Sequence, residues 1–199
     1  MQPAYYENFD EIIKKIWLML NDAVTNRSSQ FRIPVFICGT QNDFDGRIVV
    51  LRKSDQDNNL IQFHSDIRSD KIEKLKSNNR ASLIFYDKEE KIQVRAKVEC
   101  IVNHKNEVTE QSWLKTAHIS RKCYLVDNGP GTESDEPTSG LKPEKDNFDY
   151  TMEESEKGYE NFTVIQCKVK SFEWLYLAAK GHRRARFDLE NDKRIWLVP

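Results

Sequence analysis

RIVVLRKSDQDNNLIQFHSDIRSDKIEKLKSNNRASLIFYDKEEKIQVRAKVECIV, residues 47–102, carries the clearest strand and turn signals of the chain. Segments 47–51 (RIVVL), 60–64 (LIQFH), 81–86 (ASLIFY) and 92–102 (IQVRAKVECIV) are short and rich in β-branched and aromatic residues. Turn chemistry such as Asp57-Asn58-Asn59, and Asp45-Gly46 just upstream, divides them, so each reads as a β-strand. Residues 69–76 (SDKIEKLK) instead predict a short helix, with Ile72 and Leu75 on one face and Ser69 or Asp70 as its cap.

Working outward, Phe9, Ile12, Ile13, Ile16, Trp17 and Leu20 fall at helical spacing and predict an opening helix with one apolar stripe. Residues 35–38 predict a strand, 106–124 a further helix, and 162–169, 172–179, 183–188 and 194–198 four more strands. Eight or nine short strands interrupted by two or three helices indicate an antiparallel barrel. A doubly wound sheet would need helices alternating with strands, and this chain lacks that pattern.

The formal charge of −1 hides an asymmetry. Residues 127–160 hold 11 acidic and 3 basic residues, a balance of −8, which leaves +7 on the rest of the chain. The same segment is rich in Gly and Pro without apolar periodicity, so it is expected to be a long, mobile, acidic loop inserted into a basic domain. Near-neutral overall charge excludes a globally basic nucleic-acid binder. No apolar run spans a membrane, and residues 1–10 do not resemble a signal peptide, so a soluble, cytoplasmic protein is expected. Cys38, Cys100, Cys123 and Cys167 are far apart and show no metal-ligand spacing, so they read as small buried thiols and no metal is expected.

The chemistry-bearing residues are cations on short strands. Alternation places Arg47 and Arg52 on opposite faces of one strand unless it bulges or ends. His64-Ser65 closes a strand, and Ser69, Asp70 and Lys71 open a helix whose free N–H groups suit a phosphate, with Lys71 and Arg47 closing on it. His182, Arg183, Arg184 and Arg186 form a second basic cluster, either an acidic-substrate site or a solvated hairpin balanced by Asp188 and Glu190. No dinucleotide or nucleoside-triphosphate loop is present.

In order and spacing these segments resemble the pyridoxamine 5'-phosphate oxidase-like FMN-binding split barrels. The motifs are Arg47-Ile48-Val49-Val50-Leu51-Arg52, the run from Phe63 to Lys71, Asn78 to Phe85, Lys91 to Glu99, His182 to Phe187 and Trp196 to Pro199. The resemblance implies a mainly β fold with α elements: a six-to-eight-stranded antiparallel split β-barrel with flanking helices. Residues 1–199 would form one such domain with the acidic loop inserted at about 127–160. It implies that Arg47, Ser69 and Lys71 hold the FMN phosphate and that Arg52 stands near the flavin ring edge. His64 and Ser65 would run along the ribityl chain and ring, and Arg186 would reach in from the closing hairpin. Val49 and Val50 of the first motif belong to the same cofactor-binding set. Lys91, or Gln93 with a two-residue shift, would stand where the family has a flavin-contacting Gln, both on one strand face. His182 and Arg184 fall where the vitamin-B6 enzymes bind substrate. Asp70 replaces a phosphate-binding cation, which would weaken FMN binding. The full Arg-Leu-His-Asp-Arg pattern is absent, and Ser120-Arg121-Lys122-Cys123-Tyr124 is similar to the broader branch of the family rather than the vitamin-B6 oxidase.

The expected function is therefore that of a homodimeric FMN-dependent oxidoreductase with flavin at the subunit interface and an unassigned small substrate. Arg52 and Lys91 are candidates for electrostatic stabilisation, and His64 or His182 for a general base. The alternative is a non-enzymatic flavin- or haem-binding or sensing protein on the same barrel. Nucleic-acid binding through Arg183–Arg186 is a weaker reading, and neither nucleic acid nor membrane is an expected partner.

Overall fold

Asn8 starts the first element: its side chain accepts from the N–H groups of Asp10 and Glu11 and opens α1 (Phe9–Thr25), whose Ile12, Ile16, Trp17, Leu20 and Ala23 are the buried stripe. The structure is a computed structural model and describes residue 3 and residues 5–40, 43–141 and 150–199. Nine strands follow: β1 (Val35–Gly39), β2 (Phe44–Ile48), β3 (Leu51–Asp55), β4 (Leu60–Asp66), β5 (Arg80–Asp87), β6 (Ile92–Asn103), β7 (Phe162–Tyr176), β8 (Arg183–Asp188) and β9 (Lys193–Leu197). Every pairing is antiparallel, along the path β2-β1-β5-β6-β7-β4-β3, with β8 added to β7 and β9 to β8. Nine strands among the described residues agree with the eight or nine read from the sequence pattern, and the sheet is not closed.

RIVVL is not one strand. Arg47 and Ile48 end β2, Val49 and Val50 are unpaired in the sheet, and Leu51 begins β3. β2 and β3 are the two ends of the seven-strand path, and two residues reach at most about 10 Å between them. The sheet must therefore curl until its edges meet at this corner, where Val49 is buried and its N–H bonds to Pro34 O at 3.1 Å. Among the described residues no ladder joins β2 to β3, so the corner is the split of the barrel. Asp45-Gly46, expected as a turn, lies inside β2. The turn is earlier, closed by Thr40 N–H to Asp43 O at 2.9 Å. A Cβ on Gly39 would stand 2.4 Å from Asp43 O, so glycine is required there.

Segments 162–169 and 172–179, expected as two strands, belong to the single 15-residue β7, which ends at Tyr176. Its ladder with β6 pairs Lys97 with Ser171 and Val98 with Val169, leaving Lys170 as an extra residue. A one-residue bulge reverses which parity faces inward. Ile165, Cys167 and Val169 face the core before it, and Phe172, Trp174 and Tyr176 after it. The first half of β7 pairs with β4 and the second half with β8, so this strand and β6 are the spine of the sheet.

Of the remaining helices, α2 (Asp70–Ser77) packs near β1 and β6, and the helix after β6 packs on β7. α2 begins at Ser69 as expected, although the Ser69 side chain makes no cap hydrogen bond. The expected helix 106–124 is broken into α3 (Glu107–Leu114), α4 (His118–Arg121) and a single tight turn, with Ala117 extended between them. Arg121 fills the break, donating to Trp113 O at 2.9 Å and Thr116 O at 3.2 Å.

The acidic segment is only partly loop. Its expected stretch at 142–149 lies outside the described residues, but α5 (Met152–Glu156) starts on a Thr151–Glu154 capping box. Glu156 accepts the Trp113 indole N–H at 2.7 Å and pairs with Arg121, which together hold its carboxyl below the usual range. Phe162, Val164, Trp113 and Tyr124 form a second buried cluster here. The acidic charges next to this apolar group are therefore used structurally, a role that composition alone did not indicate.

Candidate functional site

Three groups of polar residues are arranged around the spine. The first lies where β4 hands over to α2. Lys71 is buried, and its Nζ donates to Ser65 Oγ at 2.9 Å. Among the described residues no carboxylate lies within ion-pair distance of that ammonium. Burial, with the nearby Arg47 charge, lowers its pKa below that of an ordinary lysine. Buried charges are normally paired, so Lys71 is an ammonium without a carboxylate partner, close in sequence to two buried hydroxyls, Ser65 and Ser69. Arg47 reaches the same corner from β2, but its fork is engaged by Asp70 at 2.8 and 3.2 Å and by Asp45. Asp70 also lies 3.4 Å from Lys74, and these cations, Arg47 foremost, pull its carboxyl down to about 2.

The second group is on the opposite face of β4, because alternation sends His64 and Ser65 to different sides. His64 and Arg52 line a cavity of about 470 Å³ with Gln62, Ser112, Thr116 and Ser120. Arg27, Lys53 and Lys115 also border it, and among the described residues no carboxylate does, so the cavity is basic. Arg52 has a buried Nε with no hydrogen-bond partner. His64 packs edge-on against Phe162 at 4.8 Å, and burial together with the Arg52 charge drops its pKa to about 3. Its ring is therefore neutral at physiological pH. Arg47 and Arg52, read from sequence as neighbours on one strand, serve separate faces because the strand ends between them.

The third group lies on the outer face of β6, β7 and β8. Glu173 accepts from Arg184 at 2.6 and 2.8 Å, is paired with Arg95, and has Arg186 at 3.9 Å. Arg183 goes elsewhere, to Glu7 and over the Tyr6 ring. The expected balance by Asp188 and Glu190 is not found: Asp188 accepts turn N–H groups and Glu190 pairs with Lys170. Gln93 faces outward between Tyr86 and Leu175. Lys91 does not share that strand face; it is exposed in the turn before β6 at φ 56. His182 accepts the Ala178 N–H at 3.1 Å in the turn before β8, a structural role.

Sequence reasoning missed Arg95 and Glu173, although their alternation with inward Val94, Ala96, Phe172 and Trp174 carried the signal. It also missed Gln62, two residues before His64 on the same face. The helix residues of the cavity had no legible signal, because only packing brings α3 and α4 over β4.

A split, nine-stranded antiparallel sheet with a cation-rich corner at the start of a short helix defines an FMN-binding split-barrel class of fold. Residues 15–104, from within α1 to just past the end of β6, match the family model for the pyridoxamine 5'-phosphate oxidase FMN-binding domain. The fold is similar to a pyridoxamine 5'-phosphate oxidase-related, FMN-binding protein of Nostoc punctiforme, with TM-score 0.68, 15% identity and all of both chains covered. It is also similar to PhzG of Burkholderia lata, crystallised with tetrahydrophenazine-1-carboxylic acid, with TM-score 0.72, 16% identity, and 100% of this chain and 98% of that one covered. A Clostridium acetobutylicum protein related to general stress protein 26 has TM-score 0.56 at 12% identity, covering 90% and 99%. At these identities the likeness is one of fold. No curated protein matches the chain in sequence.

Proposed function

We propose that the chain, as one split-barrel domain over residues 1–199, is an FMN-dependent oxidoreductase whose substrate is a small anion. The observation that carries this reading is Lys71, a buried ammonium with one hydroxyl partner and no carboxylate in ion-pair range. Arg47, Ser65, Ser69 and Lys71 have the donor chemistry to hold a phosphate, and Val49 and Val50 form the apolar corner between this group and β3. The flavin, when bound, supplies the redox chemistry. The cavity on the opposite face of β4, with no carboxylate among its described lining residues, supports an anionic substrate. Arg52 would orient that anion with its guanidinium, and the helix residues over β4 would limit access of water. Neutral His64 suits hydrogen bonding there; a pKa of about 3 makes it a poor base at neutral pH.

Homodimer formation belongs to the same reading. Ile48 and Tyr86 are exposed by 58% and 47% on the outer face that also carries Gln93, Arg184 and Arg186. In a dimer, that face of one protomer would complete the flavin site of the other. Among the described residues no helix is long and apolar enough to cross a membrane. A cytoplasmic setting is supported by four free thiols.

The second reading, a non-enzymatic flavin- or haem-binding protein, is favoured by Asp70, which occupies the Arg47 fork. Titration of the purified protein with FMN, followed by mixing with reduced nicotinamide, separates the two. Binding with bleaching of the flavin supports the enzyme, and binding without turnover supports the sensor. No binding at high micromolar FMN overturns both flavin readings.

A further inference from the structure

Cys100 and Cys167 are 67 residues apart in sequence, yet they are direct partners in the β6–β7 ladder and their Sγ atoms are 3.6 Å apart. The Cys100 N–H points away from β7, to Asn79 O at 2.8 Å. In an antiparallel strand the N–H and C=O of a residue point to the same side. Toward β7, therefore, Cys100 belongs to a non-hydrogen-bonded pair, whose Cα atoms approach to about 4.5 Å. That separation lies within the roughly 4.4–6.8 Å a disulfide spans. Both side chains are in the core, Cys167 at 0% and Cys100 at 4% exposure. Burial and the contact with Cys100 raise the Cys167 pKa, so the Cys167 thiol resists deprotonation at rest. No third ligand is available for a metal among the described residues.

We propose that Cys100 and Cys167 are a latent dithiol that a peroxide closes to a cross-strand disulfide, clamping β6 to β7. Cys100, the more exposed of the two, would react first. Its deprotonated sulfur attacks the peroxide, an S–O bond forms as the O–O bond breaks, and the departing oxygen leaves as water. The Cys167 sulfur then attacks that sulfenic sulfur, the S–S bond forms, the S–O bond breaks, and a second water leaves with the Cys167 proton. Two thiols lose two electrons in total and one hydrogen peroxide becomes two waters. The inference is independent of the flavin reading.

The test exposes the native full-length protein to hydrogen peroxide, then denatures, alkylates and digests it without reductant. The expected product is a peptide pair joined through Cys100 and Cys167, lighter by two hydrogen atoms than its reduced parts. The oxidised protein should also melt roughly 5–15 °C higher, since the bridge closes a long loop, and dithiothreitol should reverse both changes. Cys38→Ser and Cys123→Ser should retain the response. The proposal is overturned if Cys100 and Cys167 stay alkylatable while Cys123 or Cys38 is oxidised, or if the bridge forms without raising the melting temperature. Because the readout is on the unmodified sequence, it does not depend on any cysteine variant folding.

Discussion

In the FMN reading, the chain neighbours Asp70 and Lys71 would have opposite effects on an incoming phosphate. Lys71 has no carboxylate in ion-pair range, whereas Asp70 occupies the guanidinium that would complete the anion cradle. A charge-assisted hydrogen bond contributes roughly 1.5–3 kcal/mol, which is about 10- to 100-fold in affinity. Lys71→Ala should weaken FMN binding by about that factor. Asp70→Asn should strengthen it by roughly tenfold, because Arg47 is released without changing side-chain size. Flavin fluorescence titration measures both, and unchanged affinity in both would refute the phosphate corner. His64 gives a pH prediction at the same scale. Its folded pKa of about 3 lies below the ordinary 6.5, so the unfolded chain binds the proton more readily between those values. Stability is then fully present above about pH 6.5 and falls as the pH is lowered toward about 3, by roughly 2–4 kcal/mol from this residue. Chemical denaturation from pH 7 to pH 4 should show that slope, and His64→Gln should flatten it.

At the scale of elements, the bulge at Lys170 makes β7 usable on both sides. Deleting Lys170 would shift the register by one and send Phe172, Trp174 and Tyr176 to the outer face, and the protein should fail to fold by circular dichroism. Lys170→Ala keeps the residue count and loses only exposed ion pairs with Glu99 and Glu190, so it should cost less than about 1 kcal/mol. The packing of the tight turn after α5 (Lys157–Asn161) makes a similar prediction. A Cβ on Gly158 would meet the Trp113 ring and Tyr124 Cβ, each at 3.2 Å, so Gly158→Ala should destabilise by about 1–3 kcal/mol. An unchanged denaturant midpoint would mean that the acidic segment's end does not pack against Trp113 in solution.

For the whole molecule, the split sheet leaves an outer face on which apolar Ile48 and Tyr86 lie in the same sheet as the Arg95–Glu173–Arg184–Arg186 network. In the dimer reading, Ile48→Lys combined with Tyr86→Glu should raise the dimer dissociation constant at least about tenfold and lower FMN affinity with it. Sedimentation velocity over a concentration series would show the first effect. A variant that stays dimeric and retains FMN would reject this face as the interface.

How much was legible follows from range. Alternation and turn chemistry, which are local, located all nine strands in whole or in part, along with α1, α2 and the α2 cap as Ser69 or Asp70. RIVVL was misread because Val49 and Val50 look like strand interior, and only the position of β2 and β3 at the two edges of the sheet requires a corner there. β7 was divided because a bulge looks like a break in alternation until its partner strand is known. The phosphate corner was partly legible, since Ser65, Ser69 and Lys71 lie within seven residues. That Asp70 binds Arg47 was not, because the two meet only when β2 is brought beside α2. The sequence by itself determined the strand periods, the cations and the split of charge between the acidic segment and the basic remainder, all properties of neighbouring residues. Tertiary structure alone decided which cations stay unpaired, which carboxylates neutralise the rest and that Cys100 faces Cys167, because pairing depends on distances across strands that residue order does not encode.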